Sequence, residues 1–157
     1  MAHGLGISYL TGMDALYSTD LLRLAHDIPR IGSLAEPHAS ARKVSRLCGS
    51  ELELDVRLED GRIADLAQRV KACALGQASA AVMARHAIGA APKEIAEARD
   101  ALRAMLKAGA PPPSGRFAEL AVLEGARDYP ARHQSILLAF EALAEASEAA
   151  AQLSPND

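Results

Sequence analysis

The sequence predicts an α+β domain, a three-stranded antiparallel sheet packed on one face by helices, and three observations carry that reading. Leu52, Leu54, Val56 and Leu58 alternate with Glu51, Glu53, Asp55, Arg57 and Glu59, which is the period of a half-buried strand. Asp60-Gly61 follows at once, a pair that favours a type I′ hairpin and an antiparallel return. Elsewhere alanine is abundant, only 3% of residues are aromatic and there is no Trp, a composition that favours helices packed through small side chains.

The elements follow in order. Residues 14–26 carry Leu16, Leu21, Leu22 and Leu24 among polar positions, with Asp14 placed to cap, so a short helix is expected. Pro29, Gly32 and Pro37 then enforce a loop, and residues 39–47 are a candidate first strand. The alternating strand and its turn come next. Residues 62–71 are the return strand, although Ile63, Leu66 and Val70 do not alternate strictly. From Ala74 to Gly89 a small-residue helix is expected, with Gly89 as its C-cap. Pro92 opens the next helix, which carries Ile95, Leu102, Met105 and Leu106 and stops at Gly109. "APPPSG" is an intradomain loop, residues 116–125 form a short helix, and Pro130 opens a long amphipathic one.

A chain of 157 residues that is 50% hydrophobic and 24% charged suits one compact domain with a real core. That domain is expected over residues 14–150, after an extension at 1–13 and before a frayed end at 151–157. The 17 Lys and Arg against 20 Asp and Glu give a net charge of −3, and the positive charges are scattered, which argues against nucleic acid as a partner. No apolar run approaches the roughly 20 residues that span a bilayer, and the N-terminus lacks the pattern of a secretory signal. A cytoplasmic protein with no membrane partner is the expectation. Two cysteines do not make a disulfide framework, and in a reducing compartment free thiols point to packing, metal binding or reactivity.

Cys48 precedes the alternating strand and Cys73 follows the return strand, so the hairpin brings two thiols 25 positions apart in sequence to one end of the sheet. Cys73 also falls at the start of a helix, where the macrodipole favours a thiolate. Two converging thiolates make a soft-metal site; the alternative is that both are small buried hydrophobes. His26, His38 and His86 need no ligand role.

Taken in order, "IPRIGSL", "CGS", the DG hairpin, "KACALGQASAAVM" and "YPARHQSILLAFEAL" resemble the iron-sulfur cluster assembly scaffold family, the NifU N-terminal domain with its IscU and SufU relatives. The resemblance spans about residues 14–147, and "FAELAVLEGARDYPAR" is more similar to the SufU and NifU branch. It implies the SufE/NifU-like fold and a non-catalytic scaffold or carrier. It also implies the partners: a cysteine desulfurase as sulfur donor, apo-proteins as recipients. Cys48 and Cys73 match the family's first two cysteine ligands for iron, zinc or a [2Fe-2S] cluster, and could instead accept sulfur. Ser50 stands where the family has an aspartate ligand, and Ser135 where it has its third cysteine. Gln134 occupies the histidine position of the IscU branch, with His133 one residue earlier as a candidate ligand, and Arg30 matches an arginine near the site. The LPPVK motif of the IscU branch is absent. A serine hydroxyl is a poor metal ligand at neutral pH, so two chains pooling four thiolates as a homodimer would complete a cluster that one chain does not. The alternative is a metal-free interaction module of the assembly machinery.

Overall fold

The computed structural model describes residues 16–153. Helix α1 (Thr19–His26) opens on Ser18, whose hydroxyl accepts the Leu21 amide at 3.2 Å, the usual way a serine satisfies an orphan N–H of a first turn. The expected cap, Asp14, lies outside the described residues, as does the 1–13 extension.

Strands β1 (Ala39–Val44), β2 (Glu51–Glu59) and β3 (Arg62–Lys71) form an antiparallel sheet in that spatial order. The first strand stops at Val44 instead of reaching residue 47. Gly49 takes a left-handed φ of 71° that an L side chain adopts only with strain. Its amide bonds the Ser45 carbonyl at 2.9 Å while the Ser45 amide bonds the Ser50 carbonyl at 2.8 Å, so residues 45–50 close a tight loop. At the other end Asp60 and Gly61 both have positive φ, 53° and 75°, as a type I′ turn requires. The irregular alternation of β3 has a local cause: Arg57 pairs with Asp65 but Leu58 with Ile63, leaving Ala64 as a bulge. One extra residue reverses the inside–outside parity along a strand, and so Ile63 and Leu66 can both be buried.

Helices α2 (Ala74–His86) and α4 (His133–Leu153) cover one face of the sheet, and α3 (Pro92–Ala108) packs against α4. Leu52, Leu54, Val56 and Leu58 meet Leu75, Met83, Leu102 and Phe140 in one continuous core. Gly109 ends α3 in the left-handed conformation at φ 70°. Helix α2 stops three residues short of Gly89. That glycine instead joins the α2–α3 connection to the sheet, its amide bonding the Ile63 carbonyl at 2.8 Å. Arg116 closes the end of α2 and the connection after it by donating to the His86 carbonyl at 3.3 Å and the Ile88 carbonyl at 2.9 Å, and it pairs with Glu94 at 2.8 Å. His86 pairs with Glu119 at 2.8 Å. Residues 151–153 are the last residues of α4, not a frayed tail; 154–157 lie outside the described residues.

The short helix expected at 116–125 is a 3₁₀ segment spanning Gly115–Asp128, and a second 3₁₀ turn, Pro130–Arg132, leads into α4. Its buried residues are Phe117, Leu120, Leu123 and Ala126, spaced by three, which is the repeat that puts side chains in one line on a 3₁₀ helix. Phe117 meets Phe140 edge-on, with ring centroids 5.2 Å apart.

The loop between α1 and β1 crosses to the opposite face of the sheet. Asp55 on the central strand, although part of the polar half of the alternation, is buried there. It accepts from Arg69 at 3.1 and 3.2 Å, from Ser40 at 2.7 Å and from the Leu34 amide at 3.0 Å. Glu51 and Glu53 pair with Arg42 and Arg69, so this face is charged and cross-linked. Among the described residues no helix is long and apolar enough to cross a membrane.

Candidate functional site

The register that sets Val44 opposite Glu51, and Glu51 opposite Lys71, delivers the 45–50 loop and the β3–α2 junction to the same end of the sheet. Cys48 rides on the loop and is exposed; Cys73 is the N-cap residue of α2 and is half-buried. The start of α4 closes the third side with Gln134 and Ser135.

A chain of polar contacts joins the two thiols. Cys48 Sγ lies 3.1 Å from Ser50 Oγ, Ser135 Oγ donates to Ser50 Oγ at 3.1 Å, and Cys73 Sγ lies 3.4 Å from Ser135 Oγ. On the other flank Ser45 Oγ is 3.2 Å from Cys48 Sγ and donates to Gln134 Oε1 at 3.0 Å. Ser45, Ser50 and Ser135 are at most 3% exposed, and a buried hydroxyl must be hydrogen-bonded to avoid a desolvation cost. Partial burial pushes the Cys48 thiol up, but the hydroxyls of Ser45 and Ser50, the Ser50 amide and the Ser135 hydroxyl together outweigh it. The result is a pKa lowered to about 7, below the ordinary thiol value of about 8.5.

Close approach of the helices makes this possible. A Cβ on Gly76 would lie 2.5 Å from Ser135 Oγ and 2.9 Å from the Ala72 Cβ, so α2 and α4 meet there only because residue 76 has no side chain. Helix α4 is also pinned through Ser79, whose hydroxyl donates to the Ile136 carbonyl at 2.6 Å.

The structure thus brings Cys48, Cys73, Ser50, Ser135 and Gln134 together and leaves two candidates out. His133 is buried, and its Nε2 donates to the Ala126 carbonyl at 2.9 Å in the 3₁₀ segment, away from the thiols. Each helical residue turns about 100° from the last, so His133, two positions before Ser135, points about 200° around the axis from the side that Ser135 turns to the cysteines. Arg30 pairs with Asp65 at 3.1 Å near the far end of β3, so its charge is spent away from the site. Ser45 and Gly76 were not singled out by the sequence; position is the only signal for Ser45, three residues before a cysteine in a strand-end loop.

As a metal site the donor set is short. Iron-sulfur clusters and structural zinc usually take four ligands, and among the described residues no three His, Cys, Asp or Glu side chains converge. Two thiols and two mutually bonded hydroxyls do not fit a complete cluster within one chain.

A helix-backed three-stranded meander with two thiols at one sheet end defines a class of domain, and comparison with known proteins supplies its family. Residues 16–136 match the model of the NifU-like N terminal domain; the chain belongs to that family. It is 28% identical over 131 residues to the iron-sulfur cluster assembly scaffold protein IscU of Thermotoga maritima, covering 83% of this chain and 92% of that one. The IscU scaffold protein of Streptococcus pyogenes serotype M1 is 28% identical over 99 residues, 63% of this chain and 62% of that one. The crystal structure of a nitrogen-fixing NifU-like protein (N-terminal) from Brucella abortus superposes with a TM-score of 0.88 at 46% identity, covering 90% of this chain and 99% of that chain. A SUF-system scaffold from Fervidobacterium islandicum shares the fold at 22% identity, with a TM-score of 0.77 over 85% of this chain and 97% of its own.

Proposed function

We propose that this protein is a scaffold- or carrier-type member of the iron-sulfur cluster assembly machinery whose Cys48–Cys73 pair handles sulfur or iron as cargo. The observation that supports it is the exposed, acidified Cys48 joined to Cys73 through two buried serine hydroxyls at one end of the sheet. The scaffold relatives support the same process. In this reading a cysteine desulfurase supplies sulfur, apo-proteins receive the product, and the domain itself catalyses no turnover. Because one chain offers two thiolates, a complete cluster draws its remaining ligands from outside the chain, a second copy being the simplest source.

Anaerobic reconstitution with iron and sulfide tests the cluster arm. A visible chromophore in the wild type that is lost in Cys48→Ser supports it; no chromophore in either removes cluster binding. A second reading, a metal-free interaction module, is favoured by the way Ser50 and Ser135 satisfy each other. Metal analysis separates the two: stoichiometric iron or zinc that disappears in Cys73→Ala supports the site, and folded, metal-free protein supports the module.

A further inference from the structure

The groups around Cys48 are mismatched to a cation and matched to a sulfur anion. A carboxylate or thiolate brings charge to a metal; a serine hydroxyl brings one proton and two lone pairs. Ser135 donates to Ser50, which leaves the single Ser50 proton free for Cys48 Sγ, 3.1 Å away. The Ser45 proton is committed to Gln134 Oε1. Amide oxygen and nitrogen have nearly the same shape, so turning the exposed Gln134 amide over lets its NH₂ donate to Ser45 and releases the Ser45 proton toward Cys48. Two hydroxyls, each backed by a further donor, then converge on one exposed sulfur, while half-buried Cys73 faces Ser135 from behind.

We infer that this chain carries sulfane sulfur as a persulfide on Cys48 without a metal bound at the site, with Ser45, Ser50 and Gln134 as the residues that position the sulfur. This rests on the sulfur arm of the assembly reading and narrows it. The Cys48 thiolate attacks the terminal sulfur of a donor persulfide, R–S–SH. A Cys48 S–S bond forms, the donor S–S bond breaks, and R–S⁻ leaves with the electron pair while the proton stays on the transferred sulfur. Thiolate is exchanged for thiolate, so no oxidant or reductant is consumed.

The test uses the full chain, reduced and freed of metal with chelator, then treated with glutathione persulfide and analysed by peptide mass spectrometry. The expected result is a gain of one sulfur atom on the Cys48 peptide, absent in Cys48→Ser and retained in Cys73→Ser. Ser50→Ala and Gln134→Glu each slow uptake about fivefold, the factor set by one net hydrogen bond. Gln134→Glu, at an exposed position, does so with an unchanged thermal melt. Zinc titration supplies the converse: the Ser50→Asp/Ser135→Cys double variant binds at least about tenfold more tightly than wild type, as added anionic ligands require. The inference is overturned if Cys48 takes up sulfur only after zinc or iron is added, if Cys48→Ser retains the sulfur, or if wild type binds zinc as tightly as the double variant. Reconstitution of the same preparation keeps the two readings apart. A chromophore without persulfide overturns this inference and leaves the assembly reading standing. Persulfide without a chromophore supports this inference and removes cluster binding from the assembly reading.

Discussion

Cys48 should titrate near neutrality, and removing one hydroxyl of its cage should move it measurably. With a pKa of about 7, roughly half of the Cys48 side chains are thiolate at pH 7, against about 3% for an ordinary thiol of pKa about 8.5. That is about fifteenfold more nucleophile. A less basic thiolate is also intrinsically slower, by a Brønsted factor of about 0.45 per pKa unit, or about fivefold over 1.5 units, which leaves a net advantage of about threefold. A hydrogen bond to a charged acceptor contributes about 1.5–3 kcal/mol and one pKa unit corresponds to about 1.4 kcal/mol. Ser50→Ala should therefore raise the midpoint by about one unit. The assay is the rate of iodoacetamide alkylation against pH in a Cys73→Ser background, where Cys48 is the sole thiol. The sign for stability follows: the folded state favours the thiolate, so this contribution is present above the unfolded thiol pKa and is lost as pH falls through about 7. A wild-type midpoint at the ordinary thiol value, or a Ser50→Ala midpoint equal to the wild type, would refute the cage as the cause.

Three further outcomes concern the fold that holds the site. Asp55→Asn should cost about 2–3 kcal/mol in urea titration, because it leaves the Arg69 guanidinium without its bidentate partner. Desolvation pushes the Asp55 carboxyl up, but Arg69, Ser40 and the Leu34 amide hold it below the usual carboxylate value; its stabilisation is present above pH of about 4 and lost in stronger acid, so the deficit of the variant should shrink there. Gly76→Ala would raise helix propensity by about 1 kcal/mol at an unconstrained position, yet should destabilise by about 1–3 kcal/mol through overpacking at the α2–α4 seam, and Ser135→Ala should recover part of the loss. Phe140→Ala should cost about 3–5 kcal/mol, read as a drop in melting temperature, since the ring is fully buried against Phe117.

The parts of the fold that follow from short-range rules were legible in the sequence. Alternation over residues 51–59 and Asp60-Gly61 specify two strands and their turn, and Pro92 with Gly109 brackets α3, because each signal is local backbone chemistry. The 3₁₀ segment resembles an ordinary short helix in sequence, although its apolar positions, 117, 120, 123 and 126, repeat by three. The bulge at Ala64 surfaced only as broken alternation. At the site, topology places Cys48 and Cys73 together, and the resemblance marks Ser50, Gln134 and Ser135 as positions to examine. What the serines do there depends on hydroxyl directions across three elements, which no spacing rule encodes. The lowered pKa of Cys48 has the same non-local origin, since the hydroxyls that set it come from the loop and from the start of α4. His133 became a buried packing residue for a reason equally non-local, the Ala126 carbonyl seven residues upstream.

The β2–β3 turn at Asp60-Gly61 sits at the end of the sheet opposite the thiols, about 26 Å along the strands, and register fixes the spacing of Cys48 and Cys73 from their own end. Chain length can therefore change at the turn without altering that spacing, whereas a single residue added between 45 and 50 or between 71 and 73 would alter it. A tag, a fluorophore or a tether to a partner domain grafted at Asp60-Gly61 would report on the molecule while leaving the Cys48–Cys73 spacing undisturbed.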